Sequence, residues 1–284
     1  MLYFNDLVGK TPLIKINDKL YAKLETYNPT GSVKDRTISF VVSEAIKRGE
    51  INSSSIFCDA TSGNTGISLS AIAAALGNKC VIFMPQNMSE ERKQMMKVFG
   101  AQIIDAPPDD FAMSIQMRDQ FLAQEKNAWP PKQFSNPDNI KCHKIQTAPE
   151  IHEQLKSLNL MWDVFVHGSG TGGTIEGVRQ YLLEEGMHTK VCMTMPSSSP
   201  HGIQGIGDGR NFLANPDSMT DLIKIDTEDA ILRAKDFARS TGILVGISSG
   251  ANLLASEKYL QNKDVSGVIV TILCDRGERY MSIY

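Results

Sequence analysis

The residues of this chain that could do chemistry sit in short loops rich in Gly, Ser and Thr. In NPTGSVKDR (28–36), Pro29 fixes φ and Gly31 admits positive φ, so the stretch reads as a turn. Ser32 is a good N-cap, and the VKDRTISFVVSEAIKRG that follows has apolar residues at helical spacing. Lys34 therefore falls in a first helical turn, where a cation opposes the macrodipole. That position is poor for a structural lysine. It suits one that must lose its charge and bond an aldehyde.

TSGNTG (61–66) follows the strand-like SIFCDA and opens a helix pattern. Its small residues let backbone N–H groups approach an anion, and Ser62, Asn64 and Thr65 add side-chain donors. An ordinary capped turn would look the same. GSGTGGT (168–174) places four glycines in seven residues, which is costly unless backbone must come close to something. It matches GxGxxG, yet the next strand, KVCMTMP, ends in Met195 and Pro196 instead of the acid that would hold a ribose hydroxyl. An isolated phosphate cradled by Gly170 to Thr174 fits better than a pyrophosphate. GISSG (246–250) matches the nucleophile elbow, but no histidine follows Ser248, so a hydrolase fails on chain order. QGIGDGRN (204–211) carries Asp208 and Arg210 among glycines; a loop over a site and a plain surface turn both read this way, and the turn is the simpler expectation.

A lysine, a phosphate cradle, a second anion cradle and a late serine must then serve one ligand. Pyridoxal phosphate uses all of them: a Schiff-base lysine, a helix N-terminus for its phosphate and a partner for its ring nitrogen. The second cradle would take the carboxylate of an amino-acid substrate.

The composition is compatible with such an enzyme. Of 284 residues, 42% are apolar and 21% charged, as in globular proteins. A net charge of −3 gives no general attraction to nucleic acid or anionic membranes. No run approaches the ~18 apolar residues of a membrane span, and MLYFNDLVGK does not read as a signal peptide, so a cytoplasmic protein is expected. Five scattered cysteines without a CxxC and five histidines without an HExxH argue against disulfides and metal.

Positioning these loops requires parallel sheets. Strands are expected at 55–60, 79–84, 101–106, 162–168, 190–196, 221–226 and 267–274, with helices near 32–49, 64–77, 89–100, 110–126, 147–158, 173–186, 227–241 and 249–262. Near-continuous apolar strands alternating with helices indicate α/β layers, with ligands at the carboxyl ends of the strands. The Pro- and Asn-rich loop 127–139 is the clearest internal boundary.

The motifs KLETYNPTGSVKDR, TSGNTGISL, MPQNMSEERKQMMKVFGA, QFSNPDN, GSGTGGT, GIQGIG, GISSGAN and CDRGERY span nearly the whole chain. Together they resemble the cysteine synthase (O-acetylserine sulfhydrylase) and cystathionine β-synthase family of fold-type II pyridoxal phosphate enzymes. Within it, MSEER and CDRGERY are most similar to cysteine synthase B. The resemblance implies a tryptophan synthase β-like fold of two three-layer α/β/α domains with mostly parallel sheets. Residues 1–36 plus 140–284 would form the larger cofactor-binding domain and 37–139 a smaller mobile one, with the cofactor in the cleft. It implies further that Lys34 holds the cofactor and removes the substrate α-proton, and that Asn64 binds the ring's 3′-oxygen. Gly170, Thr171, Gly172, Gly173 and Thr174 would bind the phosphate, and Ser248 the ring nitrogen. Thr61, Ser62, Gly63, Thr65 and Gln133 would hold the substrate carboxylate. A homodimer is implied too.

The implied reaction is β-replacement on a serine or cysteine derivative through an α-aminoacrylate. In its leading form, O-acetylserine or O-phosphoserine and sulfide give cysteine. Alternatives are a cysteine-degrading, sulfide-producing lyase and a cystathionine β-synthase-type activity. Gly207-Asp208-Gly209 stands where cysteine synthase B carries arginines and a tryptophan, so thiosulfate use is not implied. Asp208 could deprotonate an incoming thiol or water, and Arg210 could read a charged substrate. The chain ends at Tyr284, and no regulatory module is expected beyond CDRGERYMSIY. Two readings of other classes remain at this point. One is a silent homologue that only binds a partner such as serine acetyltransferase; the other, from GxGxxG alone, is a nicotinamide-dependent oxidoreductase.

Overall fold

The chain forms ten strands and nine α-helices among the residues that the computed structural model describes, which are 4–61, 63–207 and 213–284. The strands are β1 (Leu13–Lys15), β2 (Leu20–Leu24), β3 (Ile56–Ala60), β4 (Lys79–Pro85), β5 (Gln102–Ala106), β6 (Ala128–Trp129), β7 (Trp162–Gly168), β8 (Lys190–Pro196), β9 (Asp221–Ile225) and β10 (Val268–Leu273). The helices are α1 (Lys34–Lys47), α2 (Asn64–Leu76), α3 (Glu90–Val98), α4 (Phe111–Gln124), α5 (Pro137–Cys142), α6 (Ala148–Ser157), α7 (Gly173–Glu184), α8 (Thr227–Thr241) and α9 (Ile247–Asn262).

They make two sheets. The larger has the order β1-β2-β10-β7-β8-β9 and the smaller β5-β4-β3-β6. Every pairing is parallel except β1 with β2. Alternation along the strands feeds two cores per sheet. In β7, Val164 and Val166 enter one core and Phe165 the other. In β4, Cys80, Ile82 and Met84 face one side, Val81 and Phe83 the opposite. A strand apolar on both sides must be covered on both faces, and helices supply the cover. Among the described residues no helix is long and apolar enough to cross a membrane.

The expected strands recur within a residue or two of their predicted bounds. β1, β2 and β6 were not anticipated, nor was the helical stretch through α5 and a π turn at His143–Thr147. The segment 127–139 is thus not a plain loop: it contains β6 and the start of α5. A second expectation fails at the start of α1. The residue flanking the helix is Val33, at φ −58° and ψ −21°, with no side-chain cap. Ser32 instead bridges Asp275 through its backbone, and its Oγ is buried without a hydrogen bond among the described residues. The chain here is governed by tertiary pairing, with Val33 N–H bonded to the Cys274 carbonyl at 2.8 Å.

Asp35 and Arg36 are both buried and support the structure around Lys34. Asp35 accepts from Thr30 N at 2.7 Å and holds the turn that precedes Lys34. Arg36 is buried with Glu25 at 2.7 Å and Glu150 at 2.7 Å, and Lys23 joins Glu150 at 2.9 Å. Two cations and two carboxylates compensate one another beneath the helix, as buried charges require.

Candidate active site

Strand ends and helix starts from both sheets converge on two connected cavities. The inner one is lined by Lys34, Asn64, Gly170, Thr171, Thr174 and Ser248, among others. The outer one, of about 300 Å³, shares Lys34, Asn64, Gly170 and Thr171 and adds Thr61, Gly63, Thr65 and Gln133. The residues expected for phosphate, ring and carboxylate are therefore brought together with Lys34 at the junction. Gly173 lines neither cavity. Ser62 and Asp208, with Arg210, lie outside the described residues.

Loss of water inside the cleft pulls the Lys34 pKa below the usual lysine value, against the opposing influence of Cys274 and Asp275. Among the described residues its amine makes no ion pair or hydrogen bond. The two serines of GISSG divide their work. Ser248 lines the cavity, while Ser249 Oγ accepts the Cys274 N–H at 2.8 Å. Asn64 is held at both ends of its amide: Nδ2 donates to Asp275 Oδ2 at 2.7 Å, and Oδ1 accepts from Arg279 at 2.6 Å. Thr65 donates to Gln133 Oε1 at 2.7 Å, which joins two carboxylate-site candidates from different segments.

The glycine loop is shaped by packing. Gly172 has φ +87°, and a Cβ there would fall 2.5 Å from Ala214 N. A Cβ on Gly170 would fall 2.4 Å from the Gly205 carbonyl, and on Gly173 2.1 Å from Asn139 Oδ1. Behind the loop, Asn139 donates to Thr171 Oγ1 at 2.9 Å, and His143 Nε2 lies 3.2 Å from Thr174 Oγ1. Burial, then Arg36 and Lys34, hold His143 well below the usual histidine pKa. It is a neutral prop and adds no charge to the cradle. The first turn of α7 leaves backbone N–H groups for an anion.

Pyridoxal phosphate fits this set of residues. A cradle that excludes even a methyl group, a desolvated lysine able to attack an aldehyde, and one inward serine are the parts that it needs. Among the described residues no cluster of His, Cys, Asp or Glu could hold a metal ion.

Sequence reasoning missed several of the site's neighbours. Asn139 and His143 act from behind and Asn252 lines the inner cavity, and long-range contacts place them where no local pattern points. His167 gave a signal that could have been read, being a polar residue near the end of a buried apolar strand that leads into the glycine loop. The turn expected at 204–211 is also corrected in its described part: Gln204, Gly205, Ile206 and Gly207 line the cavities.

Comparison with known proteins agrees with this geometry. The family described as "Pyridoxal-phosphate dependent enzyme" matches residues 4–275. Cysteine synthase B of Campylobacter jejuni is 38% identical over 98% of this chain and 96% of its own. Among solved structures, a hydrogen sulfide-producing enzyme from Fusobacterium nucleatum superposes with a TM-score of 0.91 at 35% identity, covering 99% of this chain and 100% of that one. The O-acetylserine-dependent cystathionine β-synthase of Helicobacter pylori gives 0.89 at 30% identity, covering 100% and 98%. With the family match covering residues 4–275 and these relatives similar over nearly the whole chain, the chain belongs to the pyridoxal-phosphate dependent enzyme family.

Proposed function

We propose that the protein catalyses β-replacement on a serine or cysteine derivative, with cysteine formation from O-acetylserine or O-phosphoserine and sulfide as its principal reaction. The observation that carries this reading is the place of Lys34, desolvated at the junction of a phosphate cradle and a second, carboxylate-sized one. Pyridoxal phosphate, when bound, supplies an aldehyde that captures the substrate amine and an electron sink that acidifies its α-carbon.

The chain's own residues do the rest. Thr61, Ser62, Gly63, Thr65 and Gln133 hold the substrate carboxylate. Gly170 to Thr174 anchor the phosphate, Asn64 takes the ring oxygen and Ser248 the ring nitrogen. Lys34 Nζ would take the α-proton, and the leaving group would depart from Cβ with the bonding pair. Sulfide then adds at Cβ, and Lys34 returns the proton to Cα. We assign Asp208 to deprotonation of the incoming nucleophile.

We divide the chain into a larger unit of 1–36 plus 140–284 and a smaller mobile unit of 37–139, in keeping with the two sheets. Five free cysteines, four of them buried, suit a reducing cytoplasm. A homodimer, and docking of a serine acetyltransferase tail in the outer cavity, complete the proposal. The test is product analysis with O-acetylserine, O-phosphoserine or cysteine, each with and without sulfide or homocysteine. Cysteine from an activated serine and sulfide is expected. Sulfide release from cysteine alone, or cystathionine as the main product, would move the assignment to the activities named for the Fusobacterium and Helicobacter proteins. Failure of every pair would end it.

A further inference from the structure

His167 is the penultimate residue of β7 and lines the inner cavity with Lys34 and Ser248, and it is only 5% exposed. Its tautomer follows from a neighbour. Asn252 Oδ1 accepts the Gly168 N–H at 2.8 Å, so Nδ2 is the donor end of that amide. Asn252 Nδ2 reaches the Ile272 carbonyl at 2.9 Å and His167 Nδ1 at 3.2 Å. An amide NH₂ only donates, so His167 Nδ1 accepts and the ring proton sits on Nε2. Burial, then the nearby Lys34, lower the His167 pKa to about 3, which keeps the ring neutral. Nε2 has no hydrogen-bond partner among the described residues.

The network also says which wall of the cavity this donor belongs to. Asn252 lies one turn beyond Ser248 on α9 and touches Cys274 Sγ at 3.5 Å. The phosphate loop has other supports, Asn139 and His143. His167 is thus part of the Ser248 wall.

We propose that His167 is a cofactor-binding residue that donates its Nε2–H to the ring-nitrogen edge of bound pyridoxal phosphate, beside Ser248. This rests on the function proposed above and adds a contact to it. A neutral imidazole N–H donates without surrendering its proton, so the ring nitrogen is held and stays unprotonated.

The experiment follows the histidine in the whole protein. Protein labelled with ¹⁵N-histidine is titrated with pyridoxal phosphate, and His167 is assigned through His167→Gln. The expected result is an Nε2–H tautomer whose nitrogen and proton signals shift on loading. In parallel, His167→Leu binds the cofactor about tenfold more weakly, as loss of one buried donor implies, and His167→Gln stays within about twofold. An Nδ1–H tautomer overturns the proposal. So does an unchanged signal, or equal affinity of the leucine variant, while borohydride still fixes the cofactor to Lys34. If the wild type takes up no pyridoxal phosphate at all, the proposed function falls and this contact with it.

Discussion

Arg279 Nη1 donates to Asn64 Oδ1 across 2.6 Å, and this single contact fixes which end of the Asn64 amide can serve a ligand. Asn64 begins α2, beside the smaller sheet, whereas Arg279 follows β10 of the larger one. The guanidinium also bonds the Gly31 carbonyl at 3.3 Å and the Thr30 carbonyl, so it ties the turn before Lys34 to the same point. With Oδ1 occupied, Nδ2 is the donor, shared with Asp275, which Tyr280 OH also reaches at 2.6 Å. Arg279→Met and Asn64→Ala should each weaken pyridoxal phosphate binding about tenfold, the scale of one charge-assisted hydrogen bond. Because the two act as a unit, the double variant should lose little more than either alone. Titration of the cofactor by its visible absorbance checks this; fully additive losses would show that Arg279 acts elsewhere.

Lys34 makes a prediction about the protein without cofactor. Burial lowers its pKa in the folded state, so the unfolded chain binds more protons between that lowered value and the ordinary 10.5. Stability from this group therefore rises with pH through that window and is fully present only above 10.5. At pH 7, below the ordinary lysine value, the apoprotein carries a cost for burying this amine. Lys34→Met removes it, and apo Lys34→Met should melt about 2–4 °C above the apo wild type for each kcal/mol recovered. The gap should narrow by pH 10, as thermal melts at both pH values would reveal. The same variant should lose turnover by a factor of about 10³ or more, since attachment and proton transfer both depend on the amine.

These two residues also mark the limit of what the sequence discloses. Lys34 was legible because its fault is local: a cation in a first helical turn is unfavourable, and the glycine loops stand in the same sequence to explain it. The strands after which those loops come were legible for a related reason, since a doubly covered strand must be apolar along its length, as VIVTIL in β10 is. β2 was not, because Lys23 interrupts its pattern, and only the distant Thr11, Gln154 and Glu150 make that lysine acceptable in a core. Arg279, Asn139 and Asn252 were illegible for the same cause. Each acts through a partner more than thirty residues away, and no window along the chain contains both. Ser32 is the converse case: its local cap signal was clear, and the pairing of Val33 with Cys274 overrode it.

Asp59 supplies a second titration, of opposite sign. It is buried behind the carboxylate site, where Gln133 Nε2 lies 3.5 Å from its Oδ2 and Arg118 3.5 Å from its Oδ1. Burial raises its pKa to about 7, with Arg118 and the Ala60 N–H only partly offsetting that. A carboxyl raised on folding contributes stability that is complete below its unfolded value of 3.8 and lost as pH climbs through about 7. Asp59→Asn should abolish that loss, so its melting temperature relative to wild type should be higher at pH 8 than at pH 5 by about 2–4 °C for each kcal/mol involved. Since Gln133 binds both Asp59 and Thr65, the substrate KM of the wild type should also vary between pH 6 and 8 and that of the variant should not. A KM profile of the same shape in both proteins would separate Asp59 from the site.

Gly173 tests whether the cradle is shaped by packing as well as by its ligand. Its added Cβ would stand 2.1 Å from Asn139 Oδ1, and Asn139 has little freedom to withdraw. The same side chain donates to the Gln133 carbonyl at 2.9 Å and to Thr171 Oγ1 at 2.9 Å. Displacing it therefore disturbs the phosphate loop and the carboxylate site together. Gly173→Ala should destabilise the protein by about 1–3 kcal/mol, the usual cost of overpacking, and should raise both the pyridoxal phosphate Kd and the substrate KM. Asn139→Ala on its own opens space but leaves Thr171 unsupported, so it should weaken cofactor binding too. In the double variant the clash is gone. Stability should then return towards that of Asn139→Ala alone while cofactor affinity stays low. Denaturant melts and cofactor titrations on the three variants decide the matter. A double variant as unstable as the sum of its parts would mean that the need for glycine at position 173 does not come from its closeness to Asn139.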